Sequence, residues 1–208
     1  MLERGKYIVI EGQDGTGKTT QADLLKERLE AQGKKVIHIK EPGGSPIAEE
    51  IRKVILNGSL ERSAMTNILL FTAIRHELWH NVIKPALDSG TWVVCTRNYW
   101  STLTYQGRGE GMDVNIIHAI TKTFTSQQYM TPDFGLILYF ADHEARRKRV
   151  SERGALENPD TFETQNDAFQ DRVNAGYREV AKDLGITLID ASQSIEQVQA
   201  EIVELLKS

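Results

Sequence analysis

The eight residues GQDGTGKT, at positions 12–19, constrain the fold of this chain more than any other stretch. They match the pattern G-x-x-x-x-G-K-[ST], follow the apolar run YIVI and precede a helical pattern that begins near Lys18. Glycines in this pattern let backbone amides curl around a phosphate, and a helix N-terminus adds partial positive charge. The stretch therefore predicts a strand, a phosphate-binding loop and a helix, in that order.

The predicted loop points to a nucleoside triphosphate. Lys18 can reach the β- and γ-phosphates, and the hydroxyl of Thr19 can ligate Mg²⁺. Asp14 lies inside the loop, where phosphates would repel its carboxylate. Its side chain either points away to solvent or points across the loop toward a second substrate's hydroxyl or a metal ion. The residues predicted to contact the nucleotide are Gly12, Gln13, Asp14, Gly15, Thr16, Gly17, Lys18, Thr19 and Thr20.

Five short apolar runs alternate with longer segments of helical spacing. The runs are nearly continuous, which is typical of strands covered on both faces. This alternation predicts right-handed crossovers and a parallel sheet of about five strands. We expect one α/β domain over residues 1–208, with the three-layer α/β/α architecture of P-loop proteins. The predicted strands span residues 6–10, 34–39, 91–95, 133–140 and 186–190.

Charge and cysteine content narrow the class of protein. The net charge of -4 argues against general nucleic-acid binding, which normally requires a basic face. The single cysteine, Cys95, cannot form an internal disulfide, which favours a cytoplasmic protein. The N-terminal apolar run is too short for a signal peptide, and no run is long enough to cross a bilayer. We expect neither a nucleic-acid partner nor a membrane.

One interval, residues 143–167, departs from the alternation. It is highly charged and contains Gly154 and Pro159. It is either a solvated helix end followed by a surface loop, or a mobile lid. The charged groups of a lid would find partners only when a ligand arrives.

Residues 63–87 show helical periodicity with an arginine in the apolar series. Arg75 lies four residues after Phe71, on the same predicted stripe. A guanidinium on a core-facing stripe is costly unless it is paired. Arg75 has either a structural partner, such as a glutamate or a helix C-terminus, or a place in a ligand pocket. In a pocket, Phe71 would stack on a nucleobase and Arg75 would donate to its carbonyl.

The same predicted helix contains HELWH at residues 76–80, which matches the H-E-x-x-H signature of zinc proteases. Catalytic zinc needs a third protein ligand and an open cleft, and the next histidine downstream is His118. We interpret His76, Glu77 and His80 as exposed polar residues. A zinc peptidase is the alternative that this motif leaves open.

Seven segments occur in an order characteristic of one enzyme family: EGQDGTGKTTQ, EPGGSPIAEEIR, LLFTAIR, VIKPAL, TYQGRGEG, PDFGLILYF and RVSERGALE. The chain resembles the bacterial thymidylate kinases, which belong to the nucleoside monophosphate kinase group of P-loop proteins. The resemblance covers nearly the whole chain. The combination of EPGG with YQG at this spacing is specific to that family.

The resemblance implies transfer of the γ-phosphoryl group of ATP to dTMP, giving dTDP, with Mg²⁺ and within a homodimer. Lys18 and Thr19 would hold ATP and Mg²⁺. Asp14 would approach the 3′-hydroxyl of the sugar, and Arg97 would reach the transferred phosphoryl group. Such a transfer needs alignment and cations more than covalent help from the protein.

The resemblance also assigns the acceptor site. Phe71 would stack on thymine, Arg75 would bond a thymine carbonyl, and Tyr105 would pack under the sugar. The residues implied to bind dTMP are Asp14, Pro42, Arg52, Phe71, Arg75, Arg97, Ser101, Thr102, Tyr105 and Gln106.

A third implication concerns the lid. The middle of the phosphate loop has no arginine, so in this family the lid supplies the missing cation. We expect Arg149 and Arg153 to act with Lys18, Arg97 and Asp14 in catalysis, with Arg146 and Arg147 as further candidates.

Three positions depart from the family pattern. Thr96 replaces the aspartate that usually precedes Arg97, Lys40 replaces an arginine, and Thr161 stands where an arginine is usual. These changes leave two alternatives to a dTMP kinase: a related kinase with an altered acceptor, or a nucleotide-binding protein with weakened catalysis. We hypothesise that the Thr96 hydroxyl holds a metal-bound water or orients Arg97, while Asp14 or Glu41 supplies the missing negative charge.

Overall fold

The computed structural model describes residues 3–141, 162 and 165–207. Within this part of the chain, five parallel strands form one sheet in the order β2-β3-β1-β4-β5. The predicted parallel sheet is confirmed, and each strand end lies within two residues of its predicted position. The strands are β1 (Tyr7–Gly12), β2 (Val36–Lys40), β3 (Trp92–Thr96), β4 (Phe134–Tyr139) and β5 (Thr187–Asp190).

Strand β1 extends two residues further than its apolar run. Glu11 and Gly12 still pair with β4, opposite Ile137 and Leu138. The hydrogen bonds of a ladder do not depend on side-chain polarity, so hydropathy alone ended the predicted strand too early.

Helices connect successive strands, and side chains cap many of their N-termini. Ser45, Ser63 and Ser194 each accept a hydrogen bond from a backbone amide in the first turn of the helix that follows. The described helices are α1 (Lys18–Ala31), α2 (Pro46–Leu56), α3 (Ala64–Leu78), α4 (Lys84–Asp88), α5 (Tyr99–Thr102), α6 (Val114–Phe124), α7 (Gln127–Met130), α8 (Asp167–Leu184) and α9 (Ile195–Leu205).

The single helix predicted over residues 63–87 is interrupted. Helix α3 passes through a π-helical turn, Trp79–Ile83, into α4. Pro85 in the first turn of α4 has no N–H to donate to the preceding turn, which explains why regular α-helical bonding does not continue. A second π-helical segment, Leu103–Gly109, follows α5.

Two apolar layers enclose the sheet. Ile8 and Ile10 of β1 face α1 and α9, while Tyr7 and Val9 belong to the larger core cluster on the opposite side. The larger cluster includes buried residues of α3 and α8, such as Ile74. Burial on both faces accounts for the nearly continuous apolar runs.

Most of the predicted lid lies outside the described residues, including Arg146, Arg147, Arg149 and Arg153. Among the residues that the structure describes, no helix is both long enough and apolar enough to span a membrane.

Candidate active site

The phosphate loop joins β1 to α1, as the sequence predicts. Gly12, Gly15 and Gly17 all have positive φ, at 142°, 93° and 87°. At Gly12 a Cβ would stand 2.2 Å from the carbonyl oxygen of Leu138, so no side chain fits there. The glycines thus shape the loop in two ways: they adopt positive φ, and Gly12 lets the backbone lie close to Leu138.

Lys18 is folded back on the loop. Its Nζ donates to the carbonyl oxygen of Gln13 at 2.9 Å and lies 3.7 Å from Oδ1 of Asp14. Burial, together with the nearby charge of Arg97, lowers the pKa of Lys18 to about 7. A phosphate anion would favour the charged ammonium, so this lysine is suited to a ligand of opposite charge.

Asp14 is directed toward Arg97, although 41% of its side chain remains exposed. Its Oδ1 lies 2.5 Å from Nη2 of Arg97, and its Oδ2 accepts a hydrogen bond from Tyr105 at 3.4 Å. Burial opposes ionisation of Asp14, yet Arg97 and Lys18 hold its pKa well below the usual range. Of the two interpretations for Asp14, the structure favours the one that directs it across the loop.

Arg97 follows β3 in a left-handed conformation, with φ of 73°. Its Nη1 donates to Oγ of Ser101 at 3.1 Å and to the hydroxyl of Tyr177 at 3.2 Å. Its guanidinium carbon lies 5.7 Å from the ring centre of Tyr105. Burial alone would lower the pKa of Arg97, but Asp14 and the two tyrosines raise it further above its ordinary value, so the cation is permanent.

Glu11, to which the sequence analysis gave no role, is a fully buried carboxylate at the end of β1. Oε1 accepts from the backbone amides of Asn98 and Ser101 at 2.9 and 3.0 Å, and from Oγ of Ser101 at 2.7 Å. Oε2 accepts from the amide of Gly12 and the hydroxyl of Tyr177, both at 3.0 Å. One carboxylate therefore fixes the start of the phosphate loop and the segment after β3. The sequence signal that could have revealed this role is the position of Glu11, an acidic residue between an apolar strand and a glycine-rich loop.

Arg75 has the glutamate partner that one of the two interpretations predicted, and it also lines a cavity, as the other requires. Its Nε pairs with Oε2 of Glu41 at 3.0 Å, and both side chains are buried. Its Nη1 donates to Thr102 at 2.7 Å, and Nη2 donates to the carbonyl of Asn98 at 2.8 Å. It also lies 5.4 Å from the ring centre of Phe71, at the wall of a cavity.

That cavity adjoins the phosphate loop at Asp14 and Arg97. Every residue implied to bind dTMP lines it except Arg52, whose Nη1 donates instead to the carbonyl of Pro42. Four lining residues were not predicted: Glu41, Ile55, Leu56 and Phe162. The complete lining is Asp14, Glu41, Pro42, Ile55, Leu56, Phe71, Arg75, Arg97, Ser101, Thr102, Tyr105, Gln106 and Phe162.

Thr96 faces a different set of groups from those that the hypothesis named. Its buried hydroxyl lies 3.5 Å from the carbonyl oxygen of Ile39 and 3.4 Å from Nε2 of His38. The acidic groups beside Arg97 are Asp14, which the hypothesis named, and Glu11, which it did not name. Glu41 is already engaged by Arg75 and by the hydroxyl of Tyr129 at 2.8 Å.

The HELWH segment does not form a zinc site within the described residues. The rings of His76 and His80 lie 4.5 Å apart on the surface of the helix. The described residues contain no group of three or more His, Cys, Asp or Glu side chains that could hold a metal ion. Glu77 accepts a hydrogen bond from Asn81 at 2.9 Å, on the helix itself.

Comparisons with known proteins identify the family of this chain. The family model for thymidylate kinase matches residues 10–202. The thymidylate kinase of Exiguobacterium sibiricum is 39% identical over 201 residues, which cover 95% of this chain and 92% of that protein. The thymidylate kinase of Gluconobacter oxydans is 38% identical, with coverage of 98% and 95%.

A solved structure extends the likeness to three dimensions. The crystal structure of thymidylate kinase from Ehrlichia chaffeensis superposes with a TM-score of 0.78 at 27% identity, covering 99% of this chain and 100% of that one. Neither the relatives nor this structure supports the two alternatives. The chain therefore belongs to the thymidylate kinase family and is an enzyme that phosphorylates dTMP.

Proposed function

We propose that ATP occupies the phosphate loop, that dTMP occupies the cavity, and that the γ-phosphoryl group passes between them beside Arg97. The contact between Asp14 and Arg97 carries this proposal, because it joins the loop to the cavity wall. The guanidinium of Arg97 therefore lies where the phosphate loop adjoins the acceptor pocket.

The cavity suits a pyrimidine nucleotide. Phe71 offers an aromatic face, and the guanidinium of Arg75 lies beside it. A guanidinium has five N–H donors, and the bonds to Glu41, Thr102 and Asn98 use three of them. The others are available to a thymine carbonyl. Tyr105 bonds Asp14 at the cavity wall, where its ring would pack under the sugar.

The reaction needs alignment and positive charge. Lys18 and Arg97 would neutralise the oxygens of the transferred group, and Asp14 would orient the acceptor sugar. A monophosphate acceptor is already an anionic nucleophile, so no side chain has to remove a proton from it. None of the described residues that line the cavity is a histidine, which agrees with this chemistry.

The residues present fit a magnesium ion held mainly by the nucleotide. Mg²⁺ prefers oxygen ligands and commonly takes only one or two from the protein. Thr19 places an exposed hydroxyl in the first turn of α1, directly after Lys18. When bound, the ion would supply further charge neutralisation at the phosphates. Arg149 and Arg153 remain our proposed lid cations, on sequence grounds alone.

A coupled assay tests the assignment of substrates. We expect ATP and Mg²⁺ to support phosphorylation of dTMP, with dGMP and CMP much poorer acceptors. Phe71→Leu should raise the KM for dTMP because it removes the stacking face, while Leu184→Ala, at an exposed apolar position outside the cavity, should leave the KM unchanged. Equal turnover of all monophosphates, or turnover confined to dGMP or CMP, would contradict the assignment.

We also propose a homodimer and a cytoplasmic location. Large apolar side chains are exposed on α3 and α6, which pack against each other: Leu69 is 51% exposed, Phe124 49% and Ile116 40%. Such a patch is typical of a protein–protein interface. The cytoplasmic assignment rests on the single cysteine, and the expectation of no nucleic-acid partner rests on net charge.

A further inference from the structure

Two glutamine side chains connect the phosphate loop to the wall of the acceptor cavity. Nε2 of Gln13 donates to Oε1 of Gln170 at 2.8 Å and to the backbone carbonyl of Gln170 at 3.2 Å. Nε2 of Gln170 donates in turn to the backbone carbonyl of Phe162 at 2.8 Å. A continuous chain of hydrogen bonds therefore runs from the loop, through α8, to Phe162.

Phe162 is a buried part of the cavity wall, with only 8% of its surface exposed. Its ring centre lies 6.0 Å from that of Phe71, with the planes tilted by 38°. It lies 5.8 Å from the ring centre of Tyr105, edge to face. A base that stacks on Phe71 must share space with Phe162, so the placement of Phe162 sets how well a base fits.

At the phosphate loop, this series of hydrogen bonds begins at Gln13, whose backbone carbonyl also bonds Lys18. The carbonyl oxygen of Gln13 accepts from Nζ of Lys18 at 2.9 Å and from the hydroxyl of Thr16 at 2.8 Å. A triphosphate that attracts the ammonium of Lys18 competes with the Gln13 carbonyl for it. Among the described residues, loss of that bond would leave the Gln13 carbonyl with its bonds to Thr16 alone, and a shift of Gln13 would move Phe162 through Gln170.

We propose that Gln170 is a positioning residue. It holds Phe162 in the acceptor cavity and couples the affinity for the monophosphate to the occupant of the phosphate loop. This inference rests on the proposed function, because it takes Phe71 and Tyr105 as contacts of dTMP. A purely structural role for Gln170 would change stability, but it would change dTMP affinity equally with and without a triphosphate.

Calorimetric titration of dTMP, with and without a non-hydrolysable ATP analogue and Mg²⁺, separates these roles. In the wild type we expect the analogue to change the Kd for dTMP by about two- to tenfold, the range set by one neutral hydrogen bond. In Gln170→Leu the ratio of the two Kd values should fall to about one, as expected for uncoupled sites. Gln32→Leu, at an exposed position after α1, is the matched control and should retain the wild-type ratio.

Gln170→Glu provides a second variant should Gln170→Leu fail to fold. The carboxylate still accepts from Gln13 but cannot donate to Phe162, so the coupling should again be lost. Coupling that is unchanged in these variants, or absent in the wild type, overturns the inference. A wild type that binds the ATP analogue but not dTMP contradicts the proposed function itself.

Discussion

At the scale of single residues, Lys18 has a pKa that a bound phosphate should raise. Its pKa of about 7 lies far below the ordinary lysine value of 10.5, because burial and Arg97 disfavour the ammonium. Between these values the unfolded chain binds a proton that the folded chain does not. The contribution of Lys18 to stability therefore rises with pH across this window.

Binding of a triphosphate should reverse this shift. With a pKa of about 7, Lys18 should be largely neutral at pH 8, and the anionic phosphates should restore its charge. We expect uptake of up to about one proton per ATP analogue bound, since one group titrates. Titrations in buffers of different ionisation enthalpy measure it directly. Lys18→Arg, which stays charged, should bind without proton uptake, and buffer-independent heats in the wild type would refute the prediction.

Glu11 illustrates the cost of changing a buried anion that has several donors. In Glu11→Gln, an amide N–H₂ group would face donors such as the hydroxyl of Tyr177 or the amide of Asn98. We expect the free energy of unfolding to fall by about 2–4 kcal/mol. Urea denaturation measures this change. Glu50→Gln, at an exposed pair with Lys53, should change it little. Equal losses of unfolding free energy in Glu11→Gln and Glu50→Gln would contradict this prediction.

At the scale of elements, the packing of α8 on the π-helical segment Leu103–Gly109 supports the cavity from behind. A Cβ on Gly109 would stand 2.7 Å from the ring of Phe169, whose ring centre lies 6.2 Å from that of Tyr105. A side chain at position 109 should therefore displace Phe169 and, through Phe169, also Tyr105 in the cavity wall.

Gly109→Ala tests this support. We expect it to lower the free energy of unfolding by about 1–3 kcal/mol, the usual range for overpacking, and to raise the KM for dTMP more than it lowers kcat. Thermal unfolding and steady-state kinetics give the two values. Combining it with Phe169→Leu should relieve the clash. If the effects of the two substitutions on unfolding free energy and KM simply added in the double mutant, the clash with Phe169 would not be their cause.

Much of the fold and the site follows from local patterns in the sequence. The strands, the phosphate loop and the stripe shared by Phe71 and Arg75 are each encoded within about twenty residues, which periodicity can detect. The cluster around Glu11 is not local. Glu11 bonds Asn98, 87 residues away, and Tyr177, 166 residues away, because the sheet places β3 beside β1 and α8 packs near its end.

The pairing of Arg75 with Glu41 was unpredictable for the same reason. Periodicity shows that a buried arginine needs a partner, but it does not select one across a separation of 34 residues. Thr96 is a third example. Its neighbours His38 and Ile39 come from β2, so they follow from strand order.

At the scale of the whole molecule, the exposed apolar side chains of α3 and α6 form the surface that we propose for a homodimer. A glutamate within a buried interface would carry a large desolvation cost. We therefore expect Leu69→Glu to convert a dimer to a monomer in sedimentation or light-scattering measurements. Leu184→Glu, at an exposed apolar position at the end of α8, is the control and should stay dimeric. A dimeric Leu69→Glu would place the interface elsewhere.

The ion pair between Asp14 and Arg97 has a consequence for discrimination between nucleotides and nucleosides. Arg97 has an anionic partner within the chain itself, at 2.5 Å. A ligand can bond this guanidinium only if it offers an anion that competes with Asp14. The phosphate of dTMP does so, whereas thymidine carries the same base and sugar without one. We therefore expect rejection of the unphosphorylated nucleoside to arise from competition for one cation rather than from the shape of the pocket.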